Sequence, residues 1–293
     1  MLTKKYFFAA ALAAVFALPG YAQTKKAAAI KPTAKVIFFD DFAGNKLDRS
    51  KWTPIVTGFH TNGELQAYVD STNVISFASG AAAQGAHNGA LVLSPKYSPG
   101  FKTFDGQTFD FISGRITTIN KFDFTYGTAE ARIKLVAADG LWPAWWMLGY
   151  PTWPAGGETD IMEFIGEADW VSAAVHGPGY SGETPFVNRQ YFSKSNDATQ
   201  WHTYAVDWAP ESLVFKYDGV TMFRVTKTMA GHYGKWIFTD KQYLLLNFAV
   251  GGIYPYKING LKKPYYGLSE KALGLIKTNK AKMLVDWVRV TKR

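Results

Sequence analysis

The segment Gly157-Glu-Thr-Asp-Ile-Met-Glu-Phe-Ile-Gly166 decides the fold of this chain. It is apolar and β-prone, yet it carries three carboxylates within six residues, Glu158, Asp160 and Glu163. Side chains alternate between the two faces of a strand, so Glu158 and Asp160 share one face and Glu163 falls on the other. A β-bulge near Ile161-Met162 adds one residue and brings the three acids to one surface. We therefore predict a bulged strand that carries a carboxylate cluster.

Such a cluster can hydrolyse a glycosidic bond, because the reaction needs one carboxylate and one carboxylic acid flanking the scissile bond. Burial and like-charge repulsion raise the pKa of at least one acid, which then keeps a proton near neutrality. We predict Glu158 as the nucleophile and Glu163 as the general acid/base, with Asp160 between them hydrogen-bonding one glutamate. Two other interpretations are a solvated strand face and an oxygen-ligand site for Ca²⁺ or Mg²⁺.

Short β-prone stretches recur along the chain, and helical periods are few. The stretches include residues 35–42, 90–94, 127–135, 201–208 and 284–291. Asp218-Gly219 has the chemistry of a tight hairpin turn and separates two apolar runs, 213–217 and 220–225. We predict an all-β fold, a sandwich of two antiparallel sheets.

The motif Glu158-x-Asp160-x-x-Glu163 resembles the bulged catalytic strand of glycoside hydrolase family 16, in its laminarinase-like branch. Four further segments resemble family segments in the family's order. They are Thr61-Asn-Gly-Glu-Leu-Gln66, Leu141-Trp-Pro-Ala-Trp-Trp-Met-Leu-Gly149, Val175-His-Gly-Pro-Gly-Tyr-Ser-Gly182 and Leu244-Leu-Leu-Asn-Phe-Ala-Val-Gly-Gly252. The resemblance covers residues 36–293. It implies a β-jelly-roll of the concanavalin A-like type that cleaves β-glucans internally with retention, and it supports the roles given to the three acids.

Two positions depart from the family's pattern. Thr159 stands where the family has Ile or Leu, which puts a hydroxyl on the core side of the strand, where it needs a partner. Gly63 stands where an Asn is expected in the early segment.

Tryptophans are the first candidates for sugar contacts, because their rings suit the apolar faces of pyranoses. Trp142 and Trp146 lie an even number of positions apart, hence on one strand face, and the resemblance places them at the glycone side of a cleft. The other interpretation of this pair is sandwich core. Trp145 points the opposite way, into the core, and Trp153 precedes the catalytic strand as a candidate cleft wall.

His176 is a further candidate, either as a hydrogen-bond donor to a sugar or a catalytic carboxylate, or as a structural histidine in an exposed turn. By resemblance, four more residues are implied as sugar ligands, each with planar donors or acceptors for hydroxyls. They are Asn62, Glu64, Arg115 and Asn247.

The resemblance also implies a structural Ca²⁺ site away from the cleft. Asp41, Gly89 and Asp286 occupy the matching places, namely an acid near the first strand, a backbone carbonyl and an acid on the last strand. A plain surface acid is the other interpretation of Asp286. No catalytic cofactor is implied.

The first 22 residues have the pattern of a cleaved secretory signal, with Lys4 and Lys5, an apolar run over 6–18 and the small-residue site Gly20-Tyr-Ala22. The run is shorter than the roughly 20 residues that span a bilayer, so no membrane anchor is expected. Residues 23–35 are predicted to be a flexible segment and 36–293 a catalytic domain. A secreted or periplasmic protein is expected.

The formal net charge is +9, but the basic residues are scattered, which argues against a nucleic-acid partner. No cysteine is present, so no disulfide framework stabilises the fold.

These observations predict a monomeric, retaining endo-β-glucanase whose substrates are β-1,3 (laminarin-type) or mixed-linkage β-1,3-1,4 glucans. Three alternatives stay open. The chain could act on agar or carrageenan, it could be a non-catalytic glucan-binding lectin, or it could transfer sugar to sugar rather than to water.

Overall fold

The computed structural model describes residues 34–58 and 60–292. The predicted signal sequence, and all of the predicted flexible segment before Ala34, lie outside the described residues. The first strand begins at Lys35.

The described part of the chain is built almost entirely from β-strands. In chain order they are β1 (Lys35–Asp40), β2 (Thr53–Pro54), β3 (Gln66–Tyr68), β4 (Ile75–Ala78), β5 (Ala90–Leu93), β6 (Lys96–Lys102), β7 (Thr108–Ser113), β8 (Arg115–Thr117), β9 (Gly127–Lys134), β10 (Leu141–Gly149), β11 (Glu158–Glu163), β12 (Trp170–His176), β13 (Phe186–Tyr191), β14 (His202–Ala209), β15 (Ser212–Tyr217), β16 (Val220–Thr226), β17 (Gln242–Val250) and β18 (Met283–Lys292). Three short α-helices are α1 (Lys227–Gly231), α2 (Ile253–Asn259) and α3 (Glu270–Lys277), and 3₁₀ turns cover Thr61–Gly63 and Gly80–Ala83.

Two antiparallel sheets form the body of this part of the chain. The eight-stranded sheet has the order β16-β15-β14-β9-β18-β5-β4, with β1 also paired to β18. The seven-stranded sheet has the order β13-β12-β11-β10-β17-β8-β2. The predicted all-β jelly-roll sandwich of two antiparallel sheets is confirmed.

Alternating side chains of the two sheets pack against each other and form the core. On β9, Ala129, Ala131 and Ile133 are buried while the residues between them are partly exposed. On β10, Trp145 is fully buried in this core, as predicted. A hydroxyl of the eight-stranded sheet also bridges the layers, because Tyr217 donates to the Ile161 carbonyl at 2.8 Å.

The predicted hairpin joins β15 to β16. Asp218 and Gly219 have φ values of 50° and 79°. Both are positive, as the favoured two-residue hairpin turns require, and Asp and Gly tolerate that region best. The local turn chemistry therefore fixes this hairpin.

A small three-stranded sheet and the helices were not predicted. In the order β3-β7-β6, the small sheet contains a parallel pair, β3 with β7. The helices are five to eight residues long, too short to show a clear helical period. No helix among the described residues is both long and apolar enough to cross a membrane.

Candidate active site

The pairing of β11 with its neighbours shows the predicted β-bulge. Against β10, Trp145 pairs with Met162 and Trp146 with Asp160, so Ile161 has no partner there. Against β12 the register shifts between Asp160 and Glu163. Ile161 and Met162 are both fully buried. The extra residue returns Glu163 to the face that carries Glu158 and Asp160, which is the face turned away from the core.

Asp160 lies at the centre of the cluster. One ligand atom each of Glu158, Asp160 and His176 lies within 4.8 Å of the other two. His176 Nε2 is 3.3 Å from Asp160 Oδ2, but the contact is poorly aligned, and within the described residues that buried oxygen has no hydrogen-bond partner. A buried acceptor without a donor is costly unless it carries a proton. Asp160 is therefore placed to hold one.

Burial raises the pKa values of all three acids. It raises the pKa of Glu163 to about 7, against the lowering effects of His176 and of the Trp142 indole. Burial and then the charge of Asp160 raise the pKa of Glu158 to about 8. Burial and then the charge of Glu163 hold the pKa of Asp160 well above its usual range. The cluster therefore retains protons near neutrality.

Protonation of Asp160 favours the ionised form of Glu158. When Asp160 holds a proton, it no longer repels the Glu158 carboxylate, which removes the charge that helps to raise the pKa of Glu158. Coupled acids of this kind divide their protons by environment. The three acids therefore share protons near neutrality, and a proton on Asp160 leaves Glu158 free to ionise.

Glu163 has its own partner on β10. Trp142 Nε1 donates to Glu163 Oε1 at 3.1 Å. The Trp142 ring is only 9% exposed, because Tyr254 of α2 packs edge-on against it with centroids 5.5 Å apart. Trp142 therefore lies on the predicted face of the sheet, but it contacts Glu163 and a helix and offers little open ring surface. Tyr254 was not predicted.

Thr159 turns to the core and finds the partner it needs. Its hydroxyl is fully buried and lies 3.1 Å from Gln242 Oε1 on β17. This contact accounts for a polar residue at a core position of β11.

Several predicted sugar ligands meet beside β11, on the β10, β17 and β8 side. Trp146 Nε1 donates to Asn247 Oδ1 at 2.7 Å, and Asn247 Nδ2 donates to the Tyr68 hydroxyl at 2.9 Å. The Arg115 guanidinium lies 4.9 Å from the Trp146 ring centroid and 5.8 Å from that of Tyr68. The structure thus joins Trp146, Asn247 and Arg115 into one polar and aromatic surface, here called the Trp146 surface.

Glu64 belongs to the same surface. Gln66 Nε2 donates to Glu64 Oε2 at 2.6 Å, and the Tyr68 hydroxyl lies 3.3 Å from the same oxygen. Burial raises the pKa of Glu64, against the lowering effects of Gln66, Arg115 and Tyr68. Sequence reasoning missed Gln66 and Tyr68 as parts of the site. Their only signal was their place within or next to the segment 61–66.

Two predicted residues lie at the rim. Asn62 is exposed in the Thr61–Gly63 turn, with a left-handed φ of 55°. Trp153 is 49% exposed, and its ring centroid is 6.2 Å from that of His176. Trp153 therefore lies exposed beside the acid cluster, and its role as a cleft wall stays a prediction.

The implied calcium ligands do not fit a calcium site. Asp286 is fully buried and accepts from Arg132 at 2.5 Å, from His87 Nδ1 at 2.6 Å and from the His87 amide at 2.8 Å. The same Arg132 nitrogen donates to the Gly85 carbonyl at 2.8 Å. The Arg132 guanidinium thus lies between the Asp286 carboxylate and the Gly85 carbonyl, in the place of a metal ion.

The other two implied ligands have different partners. Asp41 accepts from the Asn88 amide at 2.9 Å and from the Ala43 backbone at 3.3 Å. Gly89 has a φ of 140°, and a Cβ there would lie 3.2 Å from the Ala78 carbonyl. Gly89 is thus explained by a close backbone approach.

Within the described residues, the acid and histidine group that could hold a metal is Glu158, Asp160 and His176. Protons compete with a metal there, because the pKa values of Glu158 and Asp160 are raised.

A two-sheet sandwich with a buried carboxylic acid cluster beside an aromatic surface defines a carbohydrate-active protein. The family model described as glycosyl hydrolases family 16 matches residues 71–248. The chain belongs to this family.

Relatives of known name agree with the assignment. The chain is 32% identical over 244 residues to a glucan endo-1,3-beta-glucosidase A1 of Niallia circulans, a match that covers 74% of this chain and 34% of that protein. It is 29% identical to a beta-glucanase of Rhodothermus marinus, covering 76% of this chain and 78% of that protein. The chain thus spans about a third of the first relative and most of the second.

The fold is similar to that of a solved relative. The endo-beta-1,3-glucanase of Pyrococcus furiosus superposes with a TM-score of 0.75 at 30% identity, over 88% of this chain and 94% of that one.

Proposed function

We propose that this protein is an endo-β-glucanase that hydrolyses β-1,3 or mixed β-1,3-1,4 glucans with retention of configuration. The observation that carries the proposal is the bulge at Ile161, which sets the buried Asp160 and the partly buried Glu158 and Glu163 on one face. The names of the relatives support the substrate class. No catalytic cofactor enters the proposed reaction.

The reaction proceeds in two displacements. In the first, the Glu158 carboxylate attacks the anomeric carbon and forms a glycosyl ester, while Glu163 gives its proton to the leaving oxygen. In the second, Glu163 takes a proton from water, and the water oxygen displaces Glu158 from the anomeric carbon. Both glutamates return to their starting protonation states.

Asp160 acts through Glu158. Its proton stabilises the Glu158 carboxylate before attack, and His176, 3.3 Å from Oδ2, limits how far the carboxyl group can turn. A neutral Asp160 also reduces the like-charge repulsion within the cluster.

The Trp146 surface binds the glycone part of the glucan. Arg115, Asn247 and Glu64 offer charged and amide groups to sugar hydroxyls, and Trp146 offers an aromatic face. Hydrogen bonds of Asn247 with Trp146 and Tyr68, and of Glu64 with Gln66 and Tyr68, hold these groups in place before substrate arrives, which reduces the entropy lost on binding.

Product analysis tests the proposal. The protein is incubated with laminarin, mixed-linkage β-glucan, agarose and κ-carrageenan, and early products are separated by size and linkage. Short oligosaccharides from the two glucans support it, and proton NMR of the first products should show the β-anomer. Cleavage confined to the galactans would overturn the substrate class, and binding without products would indicate a lectin.

Replacement of the proposed nucleophile tests the mechanism. Glu158→Gln should lower kcat by at least about 10³-fold while the circular dichroism spectrum is unchanged. Glu270→Gln, an exposed acid at the start of α3, is the matched control and should leave kcat as it is.

We further propose export, with cleavage near residue 22, and a monomeric state. Support comes from the N-terminal sequence pattern and from the scattered surface charge. N-terminal sequencing of protein recovered outside the cytoplasm tests the cleavage, and sedimentation of that protein tests the monomer.

A further inference from the structure

Two segments stand at opposite ends of β12 on the cleft face. Residues 177–185 follow His176, which pairs with Glu158, and the Gly182 amide donates to His176 Nδ1 at 3.2 Å. Helix α2 follows β17 at the other end, where the Tyr254 hydroxyl lies 3.2 Å from Ser172 Oγ, and Ser172 pairs with Glu163. The two segments therefore flank the floor formed by β12, one near each catalytic glutamate.

Both segments are fixed at their bases. In the first, Gly177 and Tyr180 pair through their backbones, and the buried Tyr180 hydroxyl donates to the Lys235 carbonyl at 2.8 Å. In the second, Tyr256 of α2 stacks on Tyr266 with centroids 4.3 Å apart. The backbones of both segments are thus anchored, and the side chains at their tips are the parts that can move relative to one another.

One ion pair joins these tips. Glu183 sits in a turn closed by the Thr184 amide on the Ser181 carbonyl at 3.2 Å, and its carboxylate contacts the Lys257 ammonium. Lys257 lies three positions after Tyr254, on the same side of the helix. The pair therefore crosses over β12, where Ala174 is the partner of Asp160.

We infer that the Glu183–Lys257 ion pair closes the cleft over β12, opposite the Trp146 surface, and so sets the preference between short and long substrates. This inference rests on the proposed function. A short oligosaccharide can enter from the Trp146 side and extend a sugar or two beneath the pair. An internal stretch of a polymer must enter from above, so the pair has to open first.

The energetic effect is limited by the solvent exposure of the pair. The side chains of Lys257 and Glu183 are 46% and 75% exposed. Exposed pairs are weak and screened by salt, so we expect a change of roughly two- to fivefold in kcat/KM for long chains. The inference is tested by the ratio of kcat/KM for polymer to kcat/KM for tetrasaccharide.

Charge reversal provides the test. Lys257→Glu replaces attraction by repulsion and should raise the polymer-to-tetrasaccharide ratio about two- to fivefold at low salt. The double variant Glu183→Lys/Lys257→Glu should restore the original ratio. Lys262→Glu, an exposed lysine just beyond α2, should leave it unchanged. An unchanged ratio in Lys257→Glu, or a double variant that behaves like the single one, would overturn the inference.

A second readout needs no activity. The chain has no cysteine, so Glu183→Cys/Lys257→Cys carries a unique thiol pair. A short bis-maleimide should join these thiols in high yield by mass, and the Glu183→Cys/Lys262→Cys control pair in lower yield. Equal yields would overturn the closed cleft whether or not glucans are cleaved. If the wild-type protein cleaves no glucan, that result contradicts the proposed function instead.

Discussion

Asp160 Oδ2 lies 3.3 Å from His176 Nε2 yet has no well-aligned donor among the described residues. The oxygen is buried in a cluster of three acids, so a proton on Asp160 is the simplest way to satisfy it. The first prediction follows from this proton.

Asp160→Ala should lower kcat by about 10²-fold, because it removes the carboxylic acid proposed to donate a hydrogen bond to the proposed nucleophile, Glu158. Asp160→Asn should lower kcat by a smaller factor, since its amide can donate to Glu158 as a protonated acid does. Steady-state kcat and KM on laminarin measure both. Equal losses in the two variants would contradict a proton-donating Asp160.

Stability should fall as pH rises through the range in which Glu163 titrates. Burial raises the pKa of Glu163 to about 7 from its ordinary value of 4.5. The folded protein thus binds more protons than the unfolded chain between these values, and the free energy of unfolding decreases across that window. The decrease is complete once pH exceeds the folded pKa.

Glu163→Gln should remove the Glu163 contribution to this pH dependence and leave those of Glu158 and Asp160. The unfolding free energy of the variant minus that of the wild type should rise by up to about 3 kcal/mol between pH 4 and pH 8. Urea denaturation at both pH values measures it, with Glu270→Gln as the exposed control. Parallel pH dependence of Glu163→Gln and wild type would refute the shift.

Trp142→Phe should move the alkaline limb of the pH–activity profile. The Trp142 indole lowers the pKa of Glu163 by stabilising its carboxylate. Without that donor the pKa rises, and the limb should shift to higher pH by less than about one unit. The profile of kcat/KM measures it.

The control for this variant is Trp287→Phe on β18 of the other sheet. It should leave the limb in place. A limb that stays fixed in Trp142→Phe would show that Glu163 does not govern it.

Thr159→Val should destabilise the protein by about 1–2 kcal/mol, because it leaves Gln242 Oε1 buried without its donor. The double variant Thr159→Val/Gln242→Met should recover much of the loss, since both polar groups are gone. Urea midpoints measure the coupling. Additive losses would argue against the contact.

Arg132→Met should cost about 3–5 kcal/mol, because it removes the guanidinium charge that compensates the buried Asp286 carboxylate. Arg132→Met/Asp286→Leu should recover stability.

EDTA should not change the melting temperature of the wild type, since the Arg132 guanidinium already occupies the place of the calcium ion. A melting temperature that falls in EDTA and returns with Ca²⁺ would restore the calcium interpretation.

The local parts of the site were accessible to sequence reasoning. The spacing of Glu158, Asp160 and Glu163 requires a bulge if all three are to share a face, and Asp218-Gly219 suits the hairpin turn. Alternation places Trp145 in the core. Each of these follows from strand geometry over a few neighbouring residues.

Contacts between distant residues decided the remainder. Asn247 reaches Tyr68 across 179 positions, and Arg132 reaches Asp286 across 154. Neither pair has a local signal, because which side chains meet depends on the order of strands in the sheets.

The sequence by itself thus determined the fold class, the bulged strand and its three acids, since these depend on local periodicity and chemistry. Only the tertiary structure decided that Tyr254 covers Trp142, that Arg132 replaces an expected cation and that Glu183 meets Lys257. These contacts arise where loops and helices attached to different strands converge, and their energies depend on burial and distance that the linear chain does not encode position by position.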